Sequence, residues 1–217
     1  MSKKPGYIFG IDNSIFLLLS IVAFVFIFPI IDNVFIHDVF VTVAYTLVLI
    51  SMFSIIEYKI RWMKYVIIVA ILANIILIFD SSRLLLVSTF SFSAVTFMIA
   101  TGILIDHIAA NKNVSLGIVI QAISGYLLIG IIGVLLNAIL LAFDNSAINI
   151  SDGFDRFSSV IYYSFITLTT IGYGEIVPQT VTARSISIFI GAAGQIYLTV
   201  IIAMIVGKFL SAKVDRN

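Results

Sequence analysis

Apolar residues gather in six long runs, near Ser14–Ile31, Val39–Ile56, Met63–Phe79, Leu84–Ile105, Leu116–Phe143 and Val181–Leu210, each of a length that suits a crossing of the hydrocarbon core. The third is the shortest, and Trp62 beside it takes the place of an interfacial ring. A different kind of segment separates the last two runs. From about Phe157 to Thr169 the pattern predicts a helix too short to span at roughly 1.5 Å per residue. It leads into Thr167, Leu168, Thr169, Thr170, Ile171, Gly172, Tyr173, Gly174 and Glu175, a polar and glycine-bearing stretch. Irregular backbone at membrane depth survives only where protein or a water-filled path surrounds it, so this stretch predicts a pore element. Asp152 or Asp155 would cap the short helix, whose negative C-terminal end would face a waiting cation.

Composition agrees with the pattern. Of 217 residues, 61% are hydrophobic and 11% charged, and mean hydropathy is +1.20, which excludes a soluble globular domain. The absence of cysteine removes disulfides, thiolate metal sites and cysteine catalysis. No basic stripe or aromatic platform suggests a nucleic-acid partner. The first run, after Lys3 and Lys4, lacks a small-residue cleavage pattern and is expected to be a retained span rather than a signal peptide.

Glycine at 172 and 174 permits backbone angles that let the carbonyls of Thr170, Ile171, Gly172 and Tyr173 turn toward one axis, with the Thr170 hydroxyl as a further oxygen. Neutral oxygen dipoles can replace the hydration shell of a large monovalent cation without holding it too tightly to release. A turn between two membrane helices would account for the glycines, but not for the threonine pair and the tyrosine in this order. At these residues the chain resembles the selectivity filter of tetrameric potassium channels. The resemblance continues without gaps through Pro178, Arg184 and Gly194. Gly194, Gln195, Ile196, Tyr197 and Leu198 are similar to a pattern in the inner helix of small bacterial channels of that superfamily.

That resemblance implies an all-α membrane protein of six transmembrane helices plus a re-entrant pore helix and filter loop. One filter per chain requires three identical partner subunits in a homotetramer with cyclic symmetry. Residues 1–110 would form a four-helix module in the position of a voltage sensor, and residues 111–217 the pore module. The resemblance makes Gly194 a bending point of the inner helix; close helix packing is the competing account, since small residues let backbones approach in lipid. Thr199, Ile202, Ala203 and Val206 share one face, implied to be the cavity wall, with Ile202 and Val206 bulky enough to form a gate by dewetting. An ordinary packing face explains the same spacing.

Thr167, Thr169, Tyr162, Tyr163 and Glu175 would support the filter and its outer mouth. Glu175 stands where most of the family has aspartate, and Tyr162 and Tyr163 replace an aromatic pair that is often tryptophan. Tyrosine still supplies a donor for a hydrogen-bonded cuff. Ile166 stands where some relatives carry a glutamate, so coupling of that residue to the outer carboxylate is expected to be absent.

With the N-terminus in the cytoplasm, nine Lys and Arg fall inside and three, Arg83, Arg156 and Arg184, outside, which favours a multi-pass cell-membrane protein with both termini cytoplasmic. The same orientation places Asp32, Asp38, Asp80, Asp144, Asp152, Asp155 and Glu175 outside. The run from Leu84 to Ile105 contains no arginine. Steep voltage gating uses roughly three to four charges per subunit at about 2.3 kcal/mol each per 100 mV, so the four-helix module is expected to be a lipid-facing scaffold. Asn74 is expected to bond between helices, Asp12 to cap the first span, and His37 and His107 to be solvated loop residues on opposite sides, too far apart to share a metal. The short segment from Ser211 to Asn217 would leave gating to the membrane, the first four spans, the filter or a partner.

The primary expectation is a potassium-selective channel, K⁺ its permeant ligand, with membrane lipids as partners and no cofactor. An accessory or sensor subunit that keeps the pore fold for assembly, and a weakly selective cation channel, remain as alternatives. An enzyme finds no support: the sequence shows neither a metalloprotease pattern nor a Ser-His-Asp arrangement, and no repeated broken helices suggest a transporter.

Overall fold

The computed structural model describes residues 11–27, 42–51, 63–77, 82–111, 113–150 and 155–214. Among them every regular element is helical. α1 (Ile11–Val22) continues into a π-helical turn (Ala23–Ile27). α2 (Thr42–Ser51) and α3 (Met63–Ile76) follow. α4 (Arg83–Ala110) and α5 (Leu116–Phe143) each have 28 residues, α6 (Arg156–Leu168) has 13 and α7 (Val181–Val214) has 34.

Three of these, α4, α5 and α7, are long and apolar enough to cross a membrane. The described parts of the first three expected spans are shorter, and Asp32, His37, Asp38, Trp62, Asp80 and Asp152 lie outside the described residues. α6 falls within one residue of the expected short helix. Its 13 residues reach only about 20 Å against a hydrocarbon core of about 30 Å.

Side-chain oxygens open three of the helices. Ser115 accepts from the Ile118 N–H at 3.4 Å at the start of α5, Asp155 from Ser158 at 2.7 Å at the start of α6, and Thr180 from Ala183 at 3.2 Å at the start of α7. Each satisfies a backbone donor that the first turn leaves open. Asp155 is thus the cap of the short helix. Asp12 sits inside the first turn of α1 instead of before it, where its charge still complements the helix N-terminus.

α5 is the axis of the subunit, packing against α1, α4, α6 and α7. Three of its glycines make room for partners. A Cβ at Gly125 would lie 2.2 Å from the Tyr197 hydroxyl, one at Gly130 2.5 Å from the Phe165 ring, and one at Gly133 2.9 Å from Ile190. In lipid, where apolar side chains gain little by leaving the solvent, such close approach is the main source of helix adhesion.

Of the first four helices, α1 and α4 lie against α5 of their own chain, and α3 packs on α4. Near one end, Phe24 and Phe90 meet Phe157, in the first turn of α6, with ring centroids 6.3 Å and 6.4 Å apart. Phe24 also packs on Tyr45, and Tyr45 on Phe97, both at 5.9 Å. Asn74 bonds between helices as expected, donating to the Thr46 hydroxyl at 3.2 Å.

At the opposite end, α4 runs past Ile105 to Ala110, so His107 is a helical residue and not a loop one. Its Nδ1 lies 2.7 Å from the Gln121 carbonyl oxygen, and the Gln121 amide donates to Ser14 at 3.0 Å, joining α4, α5 and α1. Counting apolar residues stopped the helix too early because Asp106 and His107 are polar. Its last carbonyls are in fact covered: Lys208 of α7 donates to the carbonyl oxygens of Ile108, of Ala109 at 2.9 Å and of Asn111 at 2.6 Å. A cation on a helix C-terminus is favourable by charge as well as by hydrogen bonding. Lys208→Met, which keeps the stem and removes the charge, is expected to cost about 1–2 kcal/mol and to lower the melting temperature of the detergent-solubilised protein; an unchanged melting curve would show the clamp to be idle.

Candidate functional site

α6 ends in a specific turn. The Ile171 N–H donates to the Ile166 carbonyl at 3.0 Å and the Thr170 N–H to Thr167 at 3.1 Å, the paired bonds of a Schellman cap. Such a cap needs a left-handed residue, usually glycine. Thr170 holds it here at φ 59°, a conformation that costs an ordinary residue roughly 1–2 kcal/mol. Strain held at a defined position points to a use for that side chain.

The left-handed residues then recur. Gly172 has φ 51° and Gly174 φ 95°, while Ile171 and Tyr173 between them do not have positive φ. In an extended strand of one hand, successive carbonyls point to opposite sides; alternating the hand of successive residues turns them to the same side. The N–H groups of Thr169, Thr170, Ile171 and Gly172 all point back to carbonyls of α6, with Gly172 donating to Ile166 at 3.2 Å. No described donor meets the carbonyl oxygens of Thr170, Ile171, Gly172 or Tyr173. The donors from 169 to 172 are engaged while the carbonyl oxygens from 170 to 173 meet no described donor, an arrangement that suits a row of oxygens facing a cation.

This row lies on an open surface of the single chain. Ile171 is 54% and Tyr173 74% exposed. The threonine hydroxyls are turned onto the backbone: Thr167 to Tyr163 at 2.8 Å, Thr169 to Phe165 at 2.7 Å, and Thr170 to Thr169 at 2.6 Å.

The two tyrosines divide. Tyr163 is buried and its hydroxyl meets Ser187 of α7 at 2.5 Å, so it ties the short helix to the long one. Tyr162 is exposed and its phenol faces the Glu175 carboxylate, which together with partial desolvation raises the phenol's pKa and keeps it protonated, and so a donor, throughout the physiological range. Glutamate and tyrosine therefore still meet although both differ from the residues usual in the family.

Gly194 is buried where α7 crosses the end of α6. A Cβ there would stand 2.7 Å from the Leu168 side chain and 2.9 Å from its carbonyl oxygen. α7 is helical on both sides of it, and the close approach of Leu168 makes this glycine a packing contact in this structure. The same Leu168 carbonyl accepts from the Tyr126 hydroxyl at 3.3 Å. Further along α7, Tyr197 is buried and donates to the Ala122 carbonyl at 2.8 Å. Ile190, Gly194, Tyr197 and Ile201 form the buried stripe, and Thr199, Ile202, Ala203 and Val206 are exposed on the far side. At about 3.6 residues per turn the two sets are diametrically opposed, so the expected cavity face is the face that α5 and α6 leave open.

Several contributors carried no signal in the sequence. Tyr126, Asn137 and Ser187 are ordinary residues in apolar runs, yet Asn137 donates to Ser164 of α6 at 3.0 Å in a fully buried contact, and each of the three fixes the short helix. Among the described residues no group of His, Asp or Glu is placed to hold a metal ion. K⁺ would be held by backbone oxygens.

A short helix, a loop of alternating hand and two long flanking helices are the parts that the sequence led one to expect of a pore-loop module. The ion channel family model matches residues 122–211. Within it the chain is similar to the small conductance calcium-activated potassium channel-like protein 3 of Caenorhabditis elegans, 38% identical over 61 residues, which are 28% of this chain and 9% of that protein. It is also similar to the two-pore potassium channel 4 of Arabidopsis thaliana, 34% identical over 55 residues, 25% of this chain and 19% of that protein. The matched segments are therefore less than a fifth of either relative's length. No solved structure matches the chain significantly.

Proposed function

We propose that the chain is one subunit of a homotetrameric, potassium-selective channel that conducts passively through the loop 170–174. The observation that carries this reading is the alternation of backbone hand at Thr170, Gly172 and Gly174, with the neighbouring carbonyl oxygens left without donors. Two relatives named as potassium channels support it over the matched segment. Four copies around an axis would cover the exposed Ile171 and Tyr173 and close the ring of oxygens.

In this arrangement Thr199, Ile202, Ala203 and Val206 line the pathway below the filter, and Ile202 and Val206 narrow it. Glu175 and Tyr162 sit at the outer mouth, and both termini are cytoplasmic. Six spans follow if the helices α1 to α3 extend across the bilayer. Within α4 the one Lys or Arg is Arg83, at its first residue, so membrane potential has little charge to move there.

Reconstitution into liposomes loaded with K⁺ or with Na⁺ tests the reading. Efflux of K⁺ is expected to exceed that of Na⁺ by at least about a hundredfold, the scale of a few kcal/mol of cage selectivity. Equal rates would reduce the protein to an unselective pore, and no flux of either would favour an accessory subunit.

A further inference from the structure

The segment that follows Gly174 runs to the start of α7 without a helix or strand of its own, and it is held by the loop after α5, chiefly by Asn149. Asn149 makes three hydrogen bonds there. Its backbone N–H donates to the Val177 carbonyl at 3.2 Å, and its side-chain oxygen accepts from the Val177 N–H. Both backbone groups of Val177 are thereby satisfied by a single partner. The side-chain amide donates to the Glu175 carbonyl at 3.4 Å. Beside it, Gln179 donates to the Ala147 carbonyl at 2.8 Å, and Ile148 faces Pro178 in an isolated antiparallel bridge.

From these contacts we infer that Asn149 is a positioning residue for the outer end of the filter. Glu175, the first residue past Gly174, has its carbonyl held by Asn149, and its carboxylate stands beside the Tyr162 phenol. Gly174 at φ 95° has no side chain to resist rotation. The backbone beyond it must therefore be fixed from outside, and the side chain of Asn149 does this from 26 residues upstream. A backbone contact alone would leave the Val177 N–H and the Glu175 carbonyl unpaired, and an amide supplies a donor and an acceptor together.

The consequence is a dependence on ion occupancy. Aligned carbonyls repel one another when no cation lies between them, and a bound ion stabilises the aligned state by mass action. Pinning by Asn149 matters least when K⁺ fills the filter and most when external K⁺ is low. This rests on the channel reading above, and the experiment separates the two.

In planar bilayers, Asn149→Ala is expected to carry K⁺ current like the parent protein with high K⁺ on both sides. When external K⁺ is replaced by Na⁺, its current should decay roughly tenfold faster than the parent's, the effect of losing two exposed hydrogen bonds, with a rise in Na⁺ permeability. Asn149→Asp keeps the acceptor for Val177 and is expected to recover part of the difference. Hydrogen exchange supplies a readout that needs no current: the Val177 amide should be protected in the parent and in Asn149→Asp, and exposed in Asn149→Ala. Equal decay and equal Val177 protection in parent and Asn149→Ala would overturn the inference. A parent that is protected at Val177 but carries no K⁺ current would refute the channel reading while leaving the pin in place.

Discussion

Gly172→Ala is expected to abolish potassium-selective flux while leaving the subunit folded. Gly172 sits at φ 51°, and an added Cβ would meet no atom within 4 Å in its own chain, so the effect comes from backbone conformation and not from a clash inside the subunit. Left-handed backbone costs an L-residue roughly 1–2 kcal/mol. In the proposed homotetramer four subunits would adopt it together, so the conducting arrangement would lose about 4–8 kcal/mol, a shift of about a thousandfold or more. The chain prefers to turn the 171–172 peptide, which takes a carbonyl off the axis. Gly102→Ala is the control, since Gly102 also meets nothing within 4 Å but lies in α4 with no positive φ. K⁺ efflux from liposomes should vanish for the first variant and persist for the second; persistence in both would mean that the loop is not the conducting element.

Enlarging Gly194 is expected to have the next largest effect, by a different route. Its missing Cβ leaves space for the Leu168 carbonyl, backbone that cannot swing away as a side-chain end would. Gly194→Ala is expected to cost about 1–3 kcal/mol through overpacking, and Gly194→Leu more. The displaced group is the last residue of α6, directly ahead of Thr169 and Thr170, so α7 cannot give way without moving the entry to the filter. Tyr126, which bonds the same carbonyl, would lose its partner. Thermal stability of the purified assembly and K⁺ flux should fall together. A stable Gly194→Ala protein with altered opening would instead favour a hinge at this position, because a hinge is used only when the helix bends.

Two kinds of information were readable along the chain, and they failed at different places. Long apolar runs fixed α4, α5 and α7 to within a few residues at most ends, since exclusion of unpaired backbone from lipid forces helices whatever the side chains do. The reversals of hand at 172 and 174 were legible because left-handed backbone favours glycine, which the sequence supplies at both positions. The α4 end at Ala110 was missed because Lys208, almost a hundred residues later in the chain, covers its carbonyls; no local pattern carries that contact. His107 was misjudged for the same reason, its partner Gln121 lying on another helix.

Residues that position the short helix were also silent. Asn137, Tyr126 and Ser187 become meaningful only when α5 and α7 are folded around α6. Gly194 carried a signal but not its sense: small residues serve bending and packing alike, and its contact with Leu168 appears only in the folded chain. Thr170 shows the converse. Its left-handed backbone could not be read from a residue type that avoids it, and the Schellman bonds from Thr170 and Ile171 to α6 reveal it.

The reversal potential of the purified protein in a planar bilayer, with K⁺ on one side and Na⁺ on the other, tests the filter most directly. Carbonyl oxygens of residues 170–173 that replace the hydration shell of K⁺ alone predict a reversal that follows the K⁺ gradient at about 59 mV per tenfold change in concentration. A reversal near zero under those conditions would contradict the assignment of this loop as a potassium-selective cage.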